Sequence, residues 1–226
     1  MIYLFDLDNT LIDTEKNKEH IYNIAIQHGY DREVSKEIYK KARFDGQQNT
    51  ISLERYLQVL QEYLIRDGKT HLPNIATEVA QAMKTDPELL LPGAEEFLKD
   101  CQVKKIRMIL LSLGVPVWQE EKIQWSGLDK YFSKEKGEVV LTQLEGEGKI
   151  EAIKMLFGEN FDGADVNLFN DKPDETRELL KVFPKMRACV RQEIADARYG
   201  EADFVDLQRD FADRIVIFRE WNSLVI

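Results

Sequence analysis

The spacing of apolar residues changes character along this chain. Ile2-Tyr3-Leu4-Phe5 is a short unbroken apolar run, the pattern of a strand covered on both faces, and it stops abruptly at Asp6. From Thr14 to Asp86 the apolar positions instead recur at helical spacing. Ile21, Ile24 and Ala25 form one stripe and Val34, Ile38 and Ala42 a second. Leu53, Tyr56, Leu57, Leu60 and Leu64 form a third, with Ser52 as its N-cap. Pro73 opens a further predicted helix with Ile75, Val79 and Met83 on one face. No strand is expected in this stretch. Amphipathic helices of this length bury their stripes against one another, which predicts a small bundle.

After Asp86-Pro87 short β runs alternate with helical stretches. The strands are expected at Ile106 to Leu111, Glu138 to Leu141, Val166 to Phe169 and Arg187 to Val190. Helices are expected near Ala94 to Cys101, Val117 to Trp125, Lys149 to Phe157 and Pro173 to Val182. Such alternation implies parallel strands joined by right-handed crossovers. The strand at Ile2 joins them across the helical insertion, and Phe204-Val205 and Ile215 to Phe218 are expected to add edge strands. The predicted fold is therefore α/β, a Rossmann-like parallel sheet with an inserted helical bundle. Residues 1–13 and 87–226 make the core and 14–86 the insertion.

Three apolar runs end in chemically useful residues. The first ends at Asp6, with Asp8 and Thr10 close behind; the second ends at Ser112, followed by Leu113-Gly114; the third ends at Asn170-Asp171. In open α/β sheets ligands bind beyond the carboxyl ends of strands, so parallel pairing gathers all three sets on one edge. Buried carboxylates cost several kcal/mol unless paired or metal-bound. Two as close as Asp6 and Asp8 perturb each other, so that one can act as nucleophile and the other as acid/base. Asp6 and Asp171 are hard oxygen donors suited to Mg2+, and the main-chain carbonyl of Asp8 is a spare third. The Ser112 hydroxyl and the N–H groups of Leu113 and Gly114 suit phosphate oxygens. Lys149, in Gly146-Glu147-Gly148-Lys149, is the best candidate for the remaining positive charge.

These residues resemble the four motifs of the haloacid dehalogenase (HAD) superfamily, in order. Asp6, Asp8 and Thr10 match the first motif, Ser112 the second, Lys149 the third by position, and Asp171 the fourth. Pro92-Gly93-Ala94, Gln119, Lys122, Ile123, Gly127-Leu128 and Tyr131-Phe132 resemble the segments flanking the second motif in subfamily I, and the helical insertion lies where that subfamily carries its C1 cap. The resemblance implies a Mg2+-dependent phosphohydrolase working through an aspartyl-phosphate. Asp6 would be the nucleophile, Asp8 the acid/base, and Ser112, Leu113 and Lys149 the phosphate ligands. Asp6, Asp8 and Asp171 would hold the metal, with Thr10 and Glu175 in support. A phosphomutase uses the same residues; a non-catalytic binding or regulatory protein on the same scaffold would have little reason to keep Asp6, Asp8, Ser112, Lys149 and Asp171 together; a haloacid dehalogenase lacks an aspartate at the position of Asp8. Two departures stand out. Asn170 replaces the usual glycine, where its amide could support Asp171, and the second acid of the fourth motif is Asp174 or Glu175, of which Glu175 has the better spacing.

Composition narrows the partners. Net charge is -10, from 41 acids and 31 bases, which argues against nucleic acid and leaves a small phosphorylated metabolite as the expected partner. No apolar stretch is long enough for a membrane span, and the first strand begins too early for a signal peptide, so a cytoplasmic monomer or homodimer is expected. His20, His28 and His71 lack zinc spacing, and Cys101 and Cys189 make no disulfide framework. Trp118 and Trp125, seven apart, are expected on one helix face as core residues. The polar stretch from Arg43 to Thr50 is expected either as the loop that reaches the leaving group or as a solvated connection.

Overall fold

Six strands meet in one parallel sheet. In the computed structural model, which describes residues 1–45, 48–49, 51–69, 74, 77–78, 87–142, 148–193 and 198–224, the sheet has six strands. They are β1 (Ile2–Phe5), β4 (Arg107–Leu113), β5 (Val139–Thr142), β6 (Val166–Asn170), β7 (Arg187–Arg191) and β8 (Ile215–Phe218), in the order β5-β4-β1-β6-β7-β8. All neighbours are parallel. The chain builds outward from β1 to one side and then crosses it to build the other, so β1 lies at the point where the strand order reverses. That is where open sheets hold their ligands.

The pleat of β1 sends its side chains alternately to two layers. Leu4 joins a core with Ile109, Leu111 and Leu168, covered by three helices: α6 (Gly148–Phe157) through Ile153, α7 (Pro173–Val182) through Leu179 and Leu180, and α8 (Glu201–Asp210) through Phe204 and Leu207. Tyr3 and Phe5 join aromatic residues on the other side. Phe5 stacks on Phe169 at 4.6 Å, and Phe97 of α4 (Ala94–Val103) meets Trp221 at 4.8 Å. Gly93 makes room for this cluster: a Cβ there would lie 2.4 Å from Asn222 Oδ1, and its φ of +83° suits glycine. The Pro-Gly pair noted in the sequence thus has a packing cause.

The chain divides into two compact units. One comprises Met1–Asp13, Leu90–Gly114 and Asp129–Ile226; the other comprises Thr14–Leu89 and Val115–Leu128. The second unit contains α1 (Thr14–Gln27), α2 (Arg32–Arg43), α3 (Leu53–Arg66) and α5 (Pro116–Trp125). Asp31 caps α2 by accepting from Val34 N–H at 2.9 Å, and the expected cap of α3, Ser52 Oγ, accepts from Arg55 N–H at 3.0 Å. Ile21, Ile38, Leu57, Leu60, Trp118 and Trp125 share one core. The two tryptophans meet edge to face at 5.5 Å, so they are packing residues. The helix near Val117, which the strand–helix alternation assigns to residues 87–226, is grouped by its contacts with the helical unit. Glu121 of α5 accepts from Leu53 N–H at 2.9 Å, adding a tertiary cap to α3.

Two expectations need amendment. Phe204-Val205 is not a strand: it lies inside α8, where Gly200 N–H donates to Asp203 Oδ2 at 2.7 Å and Phe204 and Leu207 bury one helical face. A two-residue apolar run carries no period, and the capping acid decides for helix. The stretch after Arg43 is not all loop, because β2 (Phe44–Asp45) and β3 (Gln48–Asn49) pair as a short antiparallel ladder. The helix predicted from Pro73 to Met83, and His71, fall largely outside the described residues. Of the other histidines, His20 packs 5.8 Å from Trp125 and His28 faces Glu78 at 3.6 Å. Among the described residues no helix is long and apolar enough to cross a membrane.

Candidate active site

Sheet register sets the site. Phe5 pairs with Leu110 on one side and Phe169 on the other, so Asp6 leaves β1 one residue short of Ser112 on β4 and of Asp171 just past the end of β6. Asp6 N–H still donates to Phe169 O, at 2.9 Å, which holds the first acid tightly to β6. By alternation Asp6 follows Leu4 toward the layer of α6 and α7. There the first turn of α6 presents Lys149 and the first turn of α7 presents Glu175.

Lys149 is buried, and its side chain is 2% exposed. Its Nζ donates to Asp6 Oδ1 at 2.6 Å, pairs with Glu175 Oε1, and reaches Asn170 Oδ1 at 3.4 Å. Burial pulls the Lys149 ammonium down, but Asp6 and Glu175 outweigh it and hold the group above its ordinary value. Asn170 supports this ion pair rather than Asp171. Its Nδ2 donates to Glu175 Oε1 at 3.1 Å and to Thr176 Oγ1 at 3.0 Å. Burial acts to raise the Glu175 carboxyl, yet Lys149 and Lys172 lower it overall. Asp174, the other candidate for the second acid, is turned elsewhere and accepts from Tyr199 Oη at 2.7 Å.

Two carboxylate oxygens at this edge are buried and have no hydrogen-bond partner among the described residues: Asp6 Oδ2 and Asp171 Oδ1. Burial first, and then the negative charge of Asp6, raises Asp171 to about 7. A hard cation would satisfy both oxygens and would favour the ionised carboxylate against both causes, so the residues fit Mg2+. Among the described residues no cluster of three or more His, Cys, Asp and Glu side chains has metal-binding geometry. Two carboxylates and the Asp8 carbonyl do not require one.

Lys172 is a site residue that sequence reasoning missed. Its Nζ lies 3.7 Å from Glu175 Oε2. Burial pulls it down, but Asp6, Glu175, Asp171 and Asp8 together raise it. The signal was present, a lysine directly after the fourth-motif acid and before the Pro173 that starts α7, but it looked like an ordinary helix-flanking charge.

The turn after Asp6 is held from a distance. Asn9 adopts φ +54°, and Asn9 N–H donates to Ile12 O at 2.9 Å. Thr10 is fully buried, but its hydroxyl has no partner among the described residues; it is the Thr10 carbonyl that is fixed, by Trp221 Nε1 at 2.9 Å. On β4, Ser112 is buried at 1% exposure and Leu113 is half-buried. Gly114 N–H is already committed to Thr142 O at 2.9 Å, so it drops out as a phosphate donor. Gly146 and Glu147, which precede Lys149, lie outside the described residues.

Several solved structures share the fold. A protein assigned as a HAD-like hydrolase from Burkholderia xenovorans aligns with a TM-score of 0.55 at 20% identity, covering 90% of this chain and 84% of its own. One assigned as a β-phosphoglucomutase from Thermotoga maritima aligns at 0.54 and 21%, covering 98% and 96%. A HAD hydrolase from Bacillus subtilis, bound to magnesium, aligns at 0.50 and 12%, covering 88% and 90%. A comparison with curated protein sequences found no match. The family model described as haloacid dehalogenase-like hydrolase matches residues 1–192, a span that runs from Asp6 past Asp171, and on that match the chain belongs to the haloacid dehalogenase-like hydrolases.

Proposed function

We propose that this hydrolase cleaves small phosphomonoesters with Mg2+, Asp6 taking the phosphoryl group and Asp8 moving the proton. The observation that carries the reading is the pair of buried, donorless oxygens, Asp6 Oδ2 and Asp171 Oδ1, beside a nucleophile already held by Lys149. Members of the family generally use Mg2+. The Asp6 and Asp171 carboxylates and the Asp8 carbonyl would hold the ion, which would neutralise charge on carboxylate and phosphate oxygens as they approach.

The chain's own residues do the rest. An Asp6 oxygen attacks phosphorus in line as the bond to the leaving oxygen breaks, and protonated Asp8 donates to that alkoxide. Asp8, now ionised, takes a proton from water. The water oxygen bonds to phosphorus, and the Asp6 carboxylate leaves. Lys149 offsets charge on Asp6 throughout, and Glu175 with Asn170 keeps its Nζ in place. The Ser112 hydroxyl and Leu113 N–H donate to phosphate oxygens. By its resemblance to the C1 cap, the helical insertion would select the leaving group. Dehalogenation fits less well because it uses neither an acid at Asp8 nor a metal-holding Asp171.

The test is release of inorganic phosphate from p-nitrophenyl phosphate with and without Mg2+, using wild type and Asp6→Asn. Mg2+-dependent release that Asp6→Asn abolishes supports the reading. Full activity in that variant, or dehalogenation of a 2-haloacid without metal, sinks it. Measuring free phosphate also separates hydrolysis from transfer to another carbon.

A further inference from the structure

The carboxyl of Asp8 hangs from a turn with a costly backbone. Asn9, at φ +54°, occupies the left-handed region that residues other than glycine enter at a penalty, asparagine at less than most. Local bonds alone do not hold this turn. Arg191 Nη1, from the last residue of β7, donates to the Asn9 carbonyl at 2.8 Å, across 182 residues of sequence. Trp221 Nε1 donates to the Thr10 carbonyl at 2.9 Å, across 211 residues.

Neither donor is a casual surface contact. The Arg191 side chain is 13% exposed, pairs with Glu193 Oε2 at 2.5 Å, and sends its Nε to Arg219 O at 3.2 Å. Trp221 is buried, stacks 5.5 Å from Phe169, and sits where the missing side chain of Gly93 admits it. On the near side of the turn, Asp6 N–H is tied to Phe169 O. Asp8 therefore lies between one anchored end and two anchored peptide planes.

We infer that Arg191 and Trp221 are positioning residues that fix the peptide planes after Asn9 and Thr10 and so aim the Asp8 carboxyl at the leaving oxygen. The inference rests on the phosphatase reading above. General acid catalysis is worth about 10²–10⁴-fold, and only to a leaving group that needs a proton. Loosening the aim of Asp8 thus penalises poor leaving groups selectively. A merely structural role lowers turnover of all esters alike.

The experiment compares kcat/KM for phenyl phosphate, whose phenolate needs protonation, with that for p-nitrophenyl phosphate, whose leaving group does not. Trp221→Phe keeps the ring in its aromatic cluster and removes the N–H. Arg191→Ala removes the other donor, and Arg191→Lys keeps a cation for Glu193. In Trp221→Phe and Arg191→Ala, kcat/KM for phenyl phosphate should fall about tenfold or more and that for p-nitrophenyl phosphate about threefold or less. Arg191→Lys should recover part of the loss, and Mg2+ activation should stay at wild-type concentrations. Equal losses on both esters, or no loss in any folded variant, would overturn the inference alone. Wild type inert toward both esters with Mg2+ would overturn the phosphatase reading, and this inference with it.

Discussion

Lys149→Met is the most informative single change. In wild type the buried ammonium faces Asp6 Oδ1 at 2.6 Å and Glu175 Oε1. Removing one member of a buried ion pair costs about 3–5 kcal/mol, because the remaining charge stays buried without a partner. Glu175 keeps Lys172 at 3.7 Å, so the loss falls mainly on Asp6, whose Oδ2 has no donor to begin with. That places the cost near the lower bound, about 3 kcal/mol. For a protein of this size each kcal/mol moves Tm by about 2–4 °C, so Tm should fall by about 6–12 °C. Scanning calorimetry in EDTA is the suitable assay, because it resolves the two compact units if they melt apart. The double variant Asp6→Asn/Lys149→Met should regain about 2 kcal/mol, because it removes the stranded charge. A Tm within about 2 °C of wild type, or a double variant no more stable than Lys149→Met, would refute the argument.

Asp171→Ala should cut Mg2+-dependent phosphate release by about 10²-fold or more without unfolding the protein, checked by activity against Mg2+ concentration. Lys172→Met removes a cation that would compete with the proposed Mg2+ for the site's carboxylates, so half-maximal activation should need roughly three- to tenfold less Mg2+. Burial raises Glu121 to about 7 from its ordinary 4.5, against the Leu53 N–H bond and with help from Glu54. Its folded pKa lies above its unfolded one, so its contribution to stability is full below about pH 4.5 and is lost as pH rises through about 7. Allowing for partial exposure, wild type should lose about 1–2 kcal/mol from this group across that window and Glu121→Gln should not, as read by urea unfolding at several pH values. Gly93→Ala should destabilise by about 1–3 kcal/mol, from a Cβ 2.4 Å from Asn222 Oδ1 and a left-handed φ, measured by thermal unfolding.

The sheet and the acids at its edge were legible because apolar runs that end abruptly in Asp6, Ser112 and Asp171 leave a local trace. Lys149 could be singled out only by its place near a helix start; the structure supplies the reason, by setting that start against Asp6. Glu175 over Asp174 came from the usual spacing of the fourth motif, and the structure sets Glu175, not Asp174, against Lys149. Other features left little trace. Phe204-Val205 is too short to show a period, and its helix depends on the Gly200–Asp203 cap. The helix of Trp118 and Trp125 reads like any other in the alternation, and only tertiary packing groups it with α1 and α3. Asn170 looked like a partner for Asp171, but its amide is drawn to Glu175 and Thr176. Arg191 and Trp221 act on main-chain carbonyls, and a carbonyl has no sequence signature to pair with.

The central place of β1 has a consequence for biosynthesis. Its two neighbours, β4 and β6, are made long after it: Ile2 pairs with Arg107 on one side and Val166 on the other. At about 5–20 residues per second, Ile2-Tyr3-Leu4-Phe5 waits roughly 10–30 s on the ribosome before its second partner exists. During that interval the nascent chain carries an apolar segment with both hydrogen-bonding edges open, a natural target for a chaperone that grips extended peptides. The helical segment made next has mostly local contacts and can fold while β1 waits. The site's edge is then completed in stages: β6 carries Phe169 to the amide of Asp6, and Arg191 and Trp221, made later still, reach the turn that follows it.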